Sequence, residues 1–249
     1  MLSEQRHRMI LKILEEKRSV TVAELTESLN ISESTARRDI AILDKAGRLV
    51  KVFGGAVLAD KENVYLSAEP TVAQKAEVYK EEKTRIARYA ASLIRPQDFV
   101  YLDAGTTTGY MLDFLEGMDV TFVTNAVAHA QRIAALGMHV ILVGGTLKTS
   151  TEAVVGTSAV LMLKDYHFSV GFFGANGISR TAGFTTPDAN EALVKKTALE
   201  QCKKPYMLCD HSKFNIVSSV TFAPIGGGTI LTDERMDEFR DAADIVLCR

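Results

Sequence analysis

The chain has 249 residues, of which 47% are hydrophobic and 24% are charged, and its formal net charge at pH 7 is −2. This length accommodates a small domain and a larger one, and the near-neutral charge excludes a uniformly basic nucleic-acid coat protein. Residues 1–57 contain 10 Lys and Arg against 8 Asp and Glu, while the remainder contains 19 against 23. This small asymmetry agrees with DNA binding by the N-terminal part, although chance alone produces differences of this size.

The cysteines and histidines show no spacing typical of a metal site. The three cysteines are dispersed along the chain, so the pattern predicts no disulfide framework and favours a reducing cytosol. No segment has the length and apolarity of a membrane span, and the N-terminus has the pattern of a charged amphipathic helix rather than a signal peptide. We therefore expect a cytoplasmic protein without a metal or a cofactor.

The segment Thr21–Asp39 predicts two short helices joined by a tight turn. Thr21 and Glu24 have the spacing of a capping box, Asn30 tolerates the left-handed conformation that ends a helix, and Ser32 can cap the second helix. Upstream, Glu4 to Lys17 predicts a third helix that closes a small bundle. The residues expected in its core are Met9, Ile10, Ile13, Leu14, Val22, Leu25, Leu29, Ala36, Ile40 and Leu43, with Ile31 at the joint.

The second helix of this pair is predicted to carry hydroxyl and guanidinium groups on its outer face, which suits the DNA major groove. The segment Arg48–Leu58 predicts a hairpin that turns at Gly54-Gly55 and touches the sugar-phosphate backbone. The residues predicted to contact DNA are Ser32, Ser34, Thr35, Arg37, Arg38, Lys45, Arg48 and Lys51. Two alternatives remain open: the helices are only a packing unit with a solvated arginine face, or they bind protein.

The run Ser34–Asp44, followed by Gly47 and Phe53–Ala56, resembles the winged helix-turn-helix signature of the DeoR family of bacterial regulators of sugar catabolism. The family usually has a bulkier residue at the position of Ala36 and often a histidine at that of Phe53. The resemblance implies a winged helix-turn-helix DNA-binding domain. Because helix-turn-helix proteins bind paired half-sites, we also expect a homo-oligomer, either a dimer or a tetramer.

A polar segment without periodicity, Ala59–Asn63, predicts a linker. The expected organisation is a DNA-binding domain over 1–57, a linker over 58–70 and a second domain over 71–249. A helical pattern from Pro70 to about Ile94 predicts one long helix, ended by Pro96, that could relay a signal between the domains.

Short apolar runs then alternate with helical patterns, which predicts an α/β fold with a parallel sheet covered on both faces. The predicted strands are Phe99–Asp103, Asp119–Thr124, His139–Val143, Phe168–Phe173, Pro205–Cys209, Thr229–Thr232 and Ile245–Leu247. The predicted helices are 108–116, 126–136, 188–201 and 234–241.

Ligands of such sheets bind beyond the carboxyl ends of the strands. At one strand end, Asp103–Thr108 offers a close turn and three hydroxyls, which predicts a phosphate cradle without the Gly-Lys-Ser/Thr ending of a Walker loop; an ordinary helix cap is the alternative. Further polar atoms are offered by Thr124-Asn125, by Gly144-Gly145 with Lys148, and by Lys213, which either holds a phosphate or pairs with Asp210. The spacing of Asp188, Glu191 and Lys195 by itself favours a solvated Glu–Lys pair.

The whole of 70–249 resembles the effector-sensing domain of the same family. The motifs that carry this resemblance are Asp103–Thr108, Thr124-Asn125, Gly144-Gly145, Gly174–Ile178 and Asp210–Phe214. It implies a Rossmann-like fold shared with ribose-5-phosphate isomerase and coenzyme A transferases, and a phosphorylated sugar as effector. It nominates for the effector pocket Asp103, Gly105, Thr106, Thr107, Thr124, Asn125, Gly174, Asn176, Glu191, Lys195 and Lys213.

The expected function is a transcription repressor of a sugar-catabolism operon that a sugar phosphate releases from DNA. The stretch Thr185–Lys195 resembles the fructose-type subgroup, which implies fructose 1-phosphate. The alternative is a sugar-phosphate isomerase with an accessory DNA-binding module. The related isomerases carry an Asp-Gly-Ala-Asp-Glu segment, whereas Phe173–Gly177 has lost its carboxylates, so we expect a sensor and not an enzyme.

Overall fold

The computed structural model describes residues 3–17, 19–45, 48–58, 64–65 and 71–249, and the chain divides into two units, Met1–Val64 and Tyr65–Arg249. Gly47, the linker segment Ala59–Asn63 and Pro70 lie outside the described residues. None of the described helices combines the length and the apolarity that crossing a membrane requires.

The first unit consists of three helices and a small antiparallel sheet. Its elements are α1 (Ser3–Lys17), β1 (Ser19–Thr21), α2 (Val22–Leu29), α3 (Glu33–Lys45), β2 (Leu49–Val52) and β3 (Gly55–Leu58). The strand order is β1-β3-β2, so β2 and β3 form the wing and β1 extends it. The helices enclose one apolar core, to which Ile10, Leu14, Leu25, Ile40 and Leu49 contribute their side chains.

Local signals in the sequence account for the helix ends. Thr21 N donates to Glu24 Oε2 over 2.8 Å and Glu24 N donates to Thr21 Oγ1 over 3.1 Å, which confirms the capping box. Asn30 ends α2 with a φ of 51°, in the left-handed region that asparagine tolerates. Ile31 packs against the core at the joint, as predicted.

Two details of this unit differ from the prediction. Met9 is 41% exposed, and Leu11 is buried instead, because α1 turns a slightly different stripe toward the core. The wing turns at Phe53-Gly54, with φ 76° at Gly54, and Gly55 already belongs to β3. A Cβ on Gly55 would lie 2.0 Å from Val20 O, so this glycine is required for close strand approach rather than for the turn.

A two-residue strand, β4 (Val64–Tyr65), lies within the predicted linker.

In the second unit the helices are α4 (Val72–Ala76), α5 (Lys80–Ser92), α6 (Thr106–Met111), α7 (Val127–Ala135), α8 (Thr157–Lys164) and α9 (Ala189–Glu200). The main sheet contains β5 (Phe99–Leu102), β6 (Thr121–Thr124), β7 (His139–Leu142), β10 (Val170–Gly174), β13 (Pro205–Leu208), β16 (Thr229–Thr232) and β17 (Ile245–Leu247). The other strands are β8 (Thr146–Lys148), β9 (Ala153–Val155), β11 (Gly177–Ser179), β12 (Gly183–Thr186), β14 (Ile216–Val217) and β15 (Val220–Ala223).

The main sheet has seven strands in the order β17-β16-β13-β10-β5-β6-β7, and all neighbouring pairs are parallel. Each of the seven predicted strands lies in this sheet, which confirms the α/β fold. One core cluster includes side chains of α8 and α9, and a second includes side chains of α5, α6 and α7. Helices therefore cover both faces, as continuous apolar strands require.

The prediction of one long helix from Pro70 to Ile94 is wrong. The chain forms α4, a turn, and then α5, because Tyr79 has a φ of 54° and interrupts the helical path. Apolar residues on both sides keep helical spacing, so the pattern conceals the break. The predicted helix 234–241 is only a 3₁₀ turn at Asp237–Phe239. Helix α8 and the antiparallel β11-β12-β15 sheet were not predicted.

Candidate functional site

The outward face of α3 carries most of the residues predicted to contact DNA. Arg37 and Arg38 lie opposite the buried Ala36 and Ile40, and Arg37 Nη2 is 3.2 Å from Glu33 Oε2 in an exposed ion pair. The exposed members of the predicted set are Ser32, Ser34, Arg37, Arg38, Lys45 and Arg48, whereas Thr35 and Lys51 are half-buried. This face can enter a groove without disturbing the core, and its contact with DNA stays a prediction.

Hydroxyl groups cluster at the amino end of α3. Ser32 Oγ lies 2.9 Å from Ser34 Oγ and from Thr35 Oγ1, and it accepts a hydrogen bond from Thr35 N over 3.3 Å. Ser32 therefore caps α3, as predicted. The N–H groups and the positive dipole end of a helix attract anions, so this end is suited to a DNA phosphate.

The wing is tied to the end of α3 through backbone hydrogen bonds. Lys51 N donates to Asp44 Oδ1 over 2.8 Å, and Arg48 N donates to Leu43 O over 2.9 Å. These bonds fix the position of the wing relative to α3 within the first unit. A duplex would therefore meet the α3 face and the wing as one rigid surface.

A buried carboxylate on α3 fixes the same helix from the inside. Asp39 is 1% exposed and accepts hydrogen bonds from Arg6 Nε over 2.6 Å and Arg6 Nη2 over 2.9 Å, with His7 Nε2 at 3.1 Å. Burial opposes ionisation of Asp39, but the bonds from Arg6 and His7 outweigh burial and lower the pKa of the carboxyl. Sequence reasoning assigned no role to Asp39. Its place beside the apolar Ala36, Ile40 and Leu43 was the available signal.

Replacement of Asp39 by asparagine should destabilise the first unit by about 1.5–3 kcal/mol, because it removes the charged acceptor to which Arg6 and His7 are bonded. Hydrogen exchange of the slowest α3 amides in the full chain measures this loss. The folded pKa lies below the unfolded value, so the contribution is complete above about pH 4 and disappears as the pH falls through the folded pKa. The difference between wild type and Asp39→Asn should therefore shrink in acid. A constant difference from pH 7 to pH 2 would contradict this assignment.

In the second unit, the strand order reverses between β5 and β10, and a cleft opens at their carboxyl ends. After β5 the chain continues to β6 and β7 on one side, whereas β10, β13, β16 and β17 extend the sheet on the other. Ligands of open α/β sheets bind at such a switch point. The residues that line the cleft are Val72, Lys75, Lys83, Ala104, Gly105, Thr106, Thr107, Thr151, Gly174, Ala175, Asn176, Glu191, Lys195, Leu208 and Lys213.

Eight of the eleven nominated pocket residues therefore line one cleft. They are Gly105, Thr106, Thr107, Gly174, Asn176, Glu191, Lys195 and Lys213. The cavity has a volume of about 70 Å³. Typical ligand pockets have volumes of roughly 300–1,000 Å³, so this cavity encloses a whole sugar phosphate only if lining groups move.

Asp103 and Lys195 form a buried ion pair beneath the cleft. Lys195 Nζ donates to Asp103 Oδ2 and, over 3.1 Å, to Gly174 O, while Gly174 N donates to Asp103 Oδ2 over 3.0 Å. Burial raises the pKa of Asp103, and Lys195 opposes this rise. The prediction of a solvated Glu191–Lys195 pair is wrong, because Lys195 is 5% exposed and reaches across to β5 instead.

Glu191 precedes Lys195 by one turn on the same face of α9, but it binds different partners. Its Oε1 accepts a hydrogen bond from Thr151 Oγ1 and lies 3.5 Å from Lys148 Nζ, which is also 3.4 Å from Asp188 Oδ2. Lys148, predicted to supply positive charge beside Gly144-Gly145, is thus engaged by two carboxylates of α9 and its cap. The arrangement orients Glu191 at the edge of the cleft.

Thr124 and Asn125 lie outside the cleft lining in the described part of the chain. Asn125 Oδ1 accepts from Ala104 N over 2.9 Å, and Asn125 Nδ2 donates to Val154 O over 3.3 Å. Thr124 Oγ1 accepts from Ala126 N over 3.0 Å. These side chains hold the loop after β5 in place, and Thr108 Oγ1 does the same through Asp103 O at 2.7 Å.

Lysines from four elements surround the cleft, and two of them were not foreseen. Lys195 and Lys213 were nominated, whereas Lys75 of α4 and Lys83 of α5 were not. Lys83 is 2% exposed, and it precedes Ile86, Ala87 and Ala90 at helical spacing. That spacing places it on the buried stripe of α5, which was a readable signal.

One cluster of possible metal ligands lies beside this region. His211 Nδ1 is 2.8 Å from Asp233 Oδ2 and 3.9 Å from Glu234 Oε1. Burial alone would lower the pKa of His211, but the hydrogen bond and charge of Asp233 outweigh it and raise the pKa to about 9. The raised pKa and the 2.8 Å contact together fit an ion pair between His211 and Asp233. The expectation that no metal is needed stays a prediction.

Family models match both units. A DeoR-like helix-turn-helix domain matches residues 6–62, and the DeoR C-terminal sensor domain matches residues 78–234. The chain belongs to the DeoR family. Members of this family are transcription regulators that combine a winged helix with an α/β sensor domain, which confirms the resemblance inferred from the motifs.

Several members of the DeoR family are similar over almost the whole chain. An uncharacterized HTH-type transcriptional regulator FruR of Bacillus subtilis is 40% identical over 94% of this chain and 92% of its own length. An HTH-type transcriptional repressor GlcR of the same organism is 32% identical over 95% and 90%. A lactose phosphotransferase system repressor of Staphylococcus aureus is 30% identical over 92% and 91%.

Solved structures provide a more distant comparison. Ribose 5-phosphate isomerase A of Methanocaldococcus jannaschii has a TM-score of 0.42 and 15% identity, and covers 55% of each chain. An eIF2B delta structure from Chaetomium thermophilum has a TM-score of 0.42 and 18% identity over 55% of this chain and 50% of that one.

Proposed function

We propose that the protein is a cytoplasmic transcription repressor of a sugar-catabolism operon, and that a phosphorylated sugar bound in the cleft releases it from its operator. Fructose 1-phosphate is the first candidate effector. The protein would bind two half-sites as a homo-oligomer and would need no cofactor. The observation that carries the proposal is the collection of hydroxyls and lysines at the switch point of the sheet in a DeoR-family chain.

The chemistry of the cleft supports an anionic sugar as ligand. Thr106 and Thr107 offer hydroxyl donors, and the surrounding lysines offer cationic donors for a phosphate. Asn176 and Glu191 offer groups that can bind sugar hydroxyls. The names of two relatives, a lactose phosphotransferase system repressor and a repressor GlcR, agree with repression and with carbohydrate control.

The test begins with a DNA duplex that the full-length protein selects from a random-sequence pool. Titration of this duplex at several salt concentrations should give a negative slope of log affinity against log salt, because bound phosphates release counterions. A panel of sugar phosphates and unphosphorylated sugars is then added. Release by a phosphorylated sugar alone supports the proposal, whereas salt-independent binding or no selected sequence would contradict it.

Replacement of Thr106 by valine should weaken effector binding and leave DNA binding intact. The change removes one hydroxyl donor to a charged phosphate and nearly keeps the side-chain shape, which should cost on the order of 1.5–3 kcal/mol, or roughly 10- to 150-fold in affinity. Operator titrations with and without fructose 1-phosphate measure both quantities. The variant should bind its operator normally but resist induction.

Thr84→Val is the matched control, because Thr84 Oγ1 donates to Lys80 O on the surface of α5. This variant should respond to the effector as wild type does. An equal effector response of Thr106→Val and wild type would show that the phosphate does not rest on this hydroxyl. The loop after β5 would then be an ordinary helix cap.

An isomerase remains the second candidate because one carboxylate, Glu191, lines the cleft. A general base must reach a substrate proton, but Thr151 and Thr186 both donate toward Glu191, with Thr186 Oγ1 at 3.4 Å from Oε2. We therefore expect binding without turnover. Conversion of pentose or hexose phosphates by the purified protein, scaling with its concentration and lost in Glu191→Gln, would establish the enzyme instead.

A further inference from the structure

Lys83 holds the turn between α4 and α5 closed. Its Nζ donates to Val78 O over 2.7 Å and to Lys75 O at the end of α4. The last carbonyls of a helix have no partners within it and need donors from elsewhere. Tyr110 Oη supplies a further donor to Ala76 O over 2.8 Å. The short helix α4 is therefore ended by side chains from α5 and α6.

The same ammonium belongs to the wall of the effector cleft. Lys83 lines the cavity together with Lys75 and Val72 of α4. The pKa of Lys83 is lowered to about 8, mainly by burial; the charges of Asp210 and Glu82 oppose this effect, and those of Lys213 and Lys75 add to it. An anion in the cleft would therefore meet a buried ammonium whose hydrogen-bond acceptors are neutral carbonyls.

The turn is also held on its other side. The ring of Tyr79, whose φ is 54°, packs edge-on against His211 with ring centroids 4.6 Å apart. His211 is fixed by Asp233 and lies two residues before Lys213, which lines the cleft. The α4–α5 turn thus contacts Lys83, which lines the cavity, and His211, which lies two residues before the lining residue Lys213. The cavity encloses a whole sugar phosphate only if such groups move.

We propose that Lys83 is a switch residue: the phosphate of the effector draws its ammonium away from the carbonyls of Lys75 and Val78, and the α4–α5 turn opens. This rests on the proposed function, in which the cleft takes a sugar phosphate. A charged acceptor forms stronger hydrogen bonds than a carbonyl, so the exchange of partners is favourable. Because α4 follows the segment that joins the two units in sequence, opening of the turn alters the start of the sensor domain. The effector thereby acquires different affinities for two states, which regulation requires.

Amide hydrogen exchange of the full-length protein tests whether Lys83 leaves the two carbonyls when the effector binds. The probes are fructose 1-phosphate and, without the sugar, inorganic phosphate. Saturating fructose 1-phosphate should protect amides of residues 104–108 and accelerate exchange in residues 75–83 by at least about tenfold. Lys83→Met removes the ammonium and keeps an unbranched side chain that is one atom shorter. In this variant residues 75–83 should exchange faster than in wild type even without ligand, and the ligand should bind more weakly and add no further acceleration.

The matched control is Lys80→Met, an exposed lysine of the same helix, which should behave as wild type in every arm. Unchanged exchange in β5 and β10 shows that each variant is folded. Protection of 104–108 without acceleration in 75–83 would overturn the switch and leave the proposed effector site standing. Slow exchange in ligand-free Lys83→Met would also overturn it. A wild-type protein that shows no protection at 104–108 with either probe would overturn the effector site and the switch together.

Discussion

Alanine at Arg37 or at Arg38 should weaken operator binding by about 1–3 kcal/mol each, or roughly 5- to 150-fold, without unfolding the first unit. Both side chains are exposed on the face of α3 opposite its core, so their truncation removes groups that a duplex would contact. An arginine that reads a base should relax specificity at one position of the operator. An arginine that binds a phosphate should weaken all sequences alike and reduce the salt slope by about one.

The stability of α3 should barely change in these variants. The Arg37–Glu33 pair is exposed, and such pairs contribute at most about 1 kcal/mol. Arg235→Ala is the control, because it removes the same charge from an exposed position of the second unit. Operator titrations on all three variants decide the assignment. If both α3 variants bound as tightly as Arg235→Ala and wild type, α3 would not be the helix that enters the groove.

Replacement of Lys195 by methionine should destabilise the second unit by about 3–5 kcal/mol, because it leaves the Asp103 carboxylate buried without its cation. Asp103 is 0% exposed, and its Oδ1 has no hydrogen-bond partner among the described residues, so little else can compensate. Urea unfolding followed by tyrosine fluorescence measures the loss. All seven tyrosines lie at or after residue 65, and the chain has no tryptophan, so the signal reports the second unit.

The neighbouring Lys196 provides the control, since it is exposed on the same helix and Lys196→Met should change stability by less than about 0.5 kcal/mol. The double variant Asp103→Asn/Lys195→Met should recover part of the loss, because no buried charge then remains. A Lys195→Met protein as stable as the control would mean that the pair contributes nothing to the folded state.

The sequence was sufficient to predict the fold of the second unit where periodicity and strand-end residues agree. Strands such as Phe99–Leu102 are short, fully apolar and followed by small or polar residues, so their parallel arrangement follows from packing alone. The break at Tyr79 could not be predicted, because a single left-handed residue does not change the hydrophobic pattern around it. Helix α8 was missed because residues 159–163 form a continuous apolar run, which lacks the helical periodicity of an amphipathic helix.

The residues of the candidate site also divide into those that the sequence predicted and those that only the structure revealed. The threonine loop and the Gly174–Asn176 segment were nominated from motifs and strand ends, and both line the cleft. Spacing along one helix suggested that Lys195 pairs with Glu191, whereas its partner, Asp103, lies 92 residues away in sequence. Lys75 and Lys83 were not nominated: the spacing of Lys83 indicated its burial, but the position of both lysines at the cleft depends on how α4 and α5 fold over the sheet. Local sequence patterns thus could not predict the side-chain contacts between segments that are distant in sequence.

The ion pair between Arg6 and Asp39 limits how operator preference can be transferred between related repressors. A graft of α3 alone into a winged helix without a basic residue at the position of Arg6 would leave the Asp39 carboxylate in the core without its cation. The chimera would then lose stability for a reason that has nothing to do with its contacts to DNA. Exchange of α1 together with α3 transfers Arg6 and Asp39 as a pair. The smallest segment that can carry DNA specificity from this chain to another protein therefore begins at α1 rather than at α3.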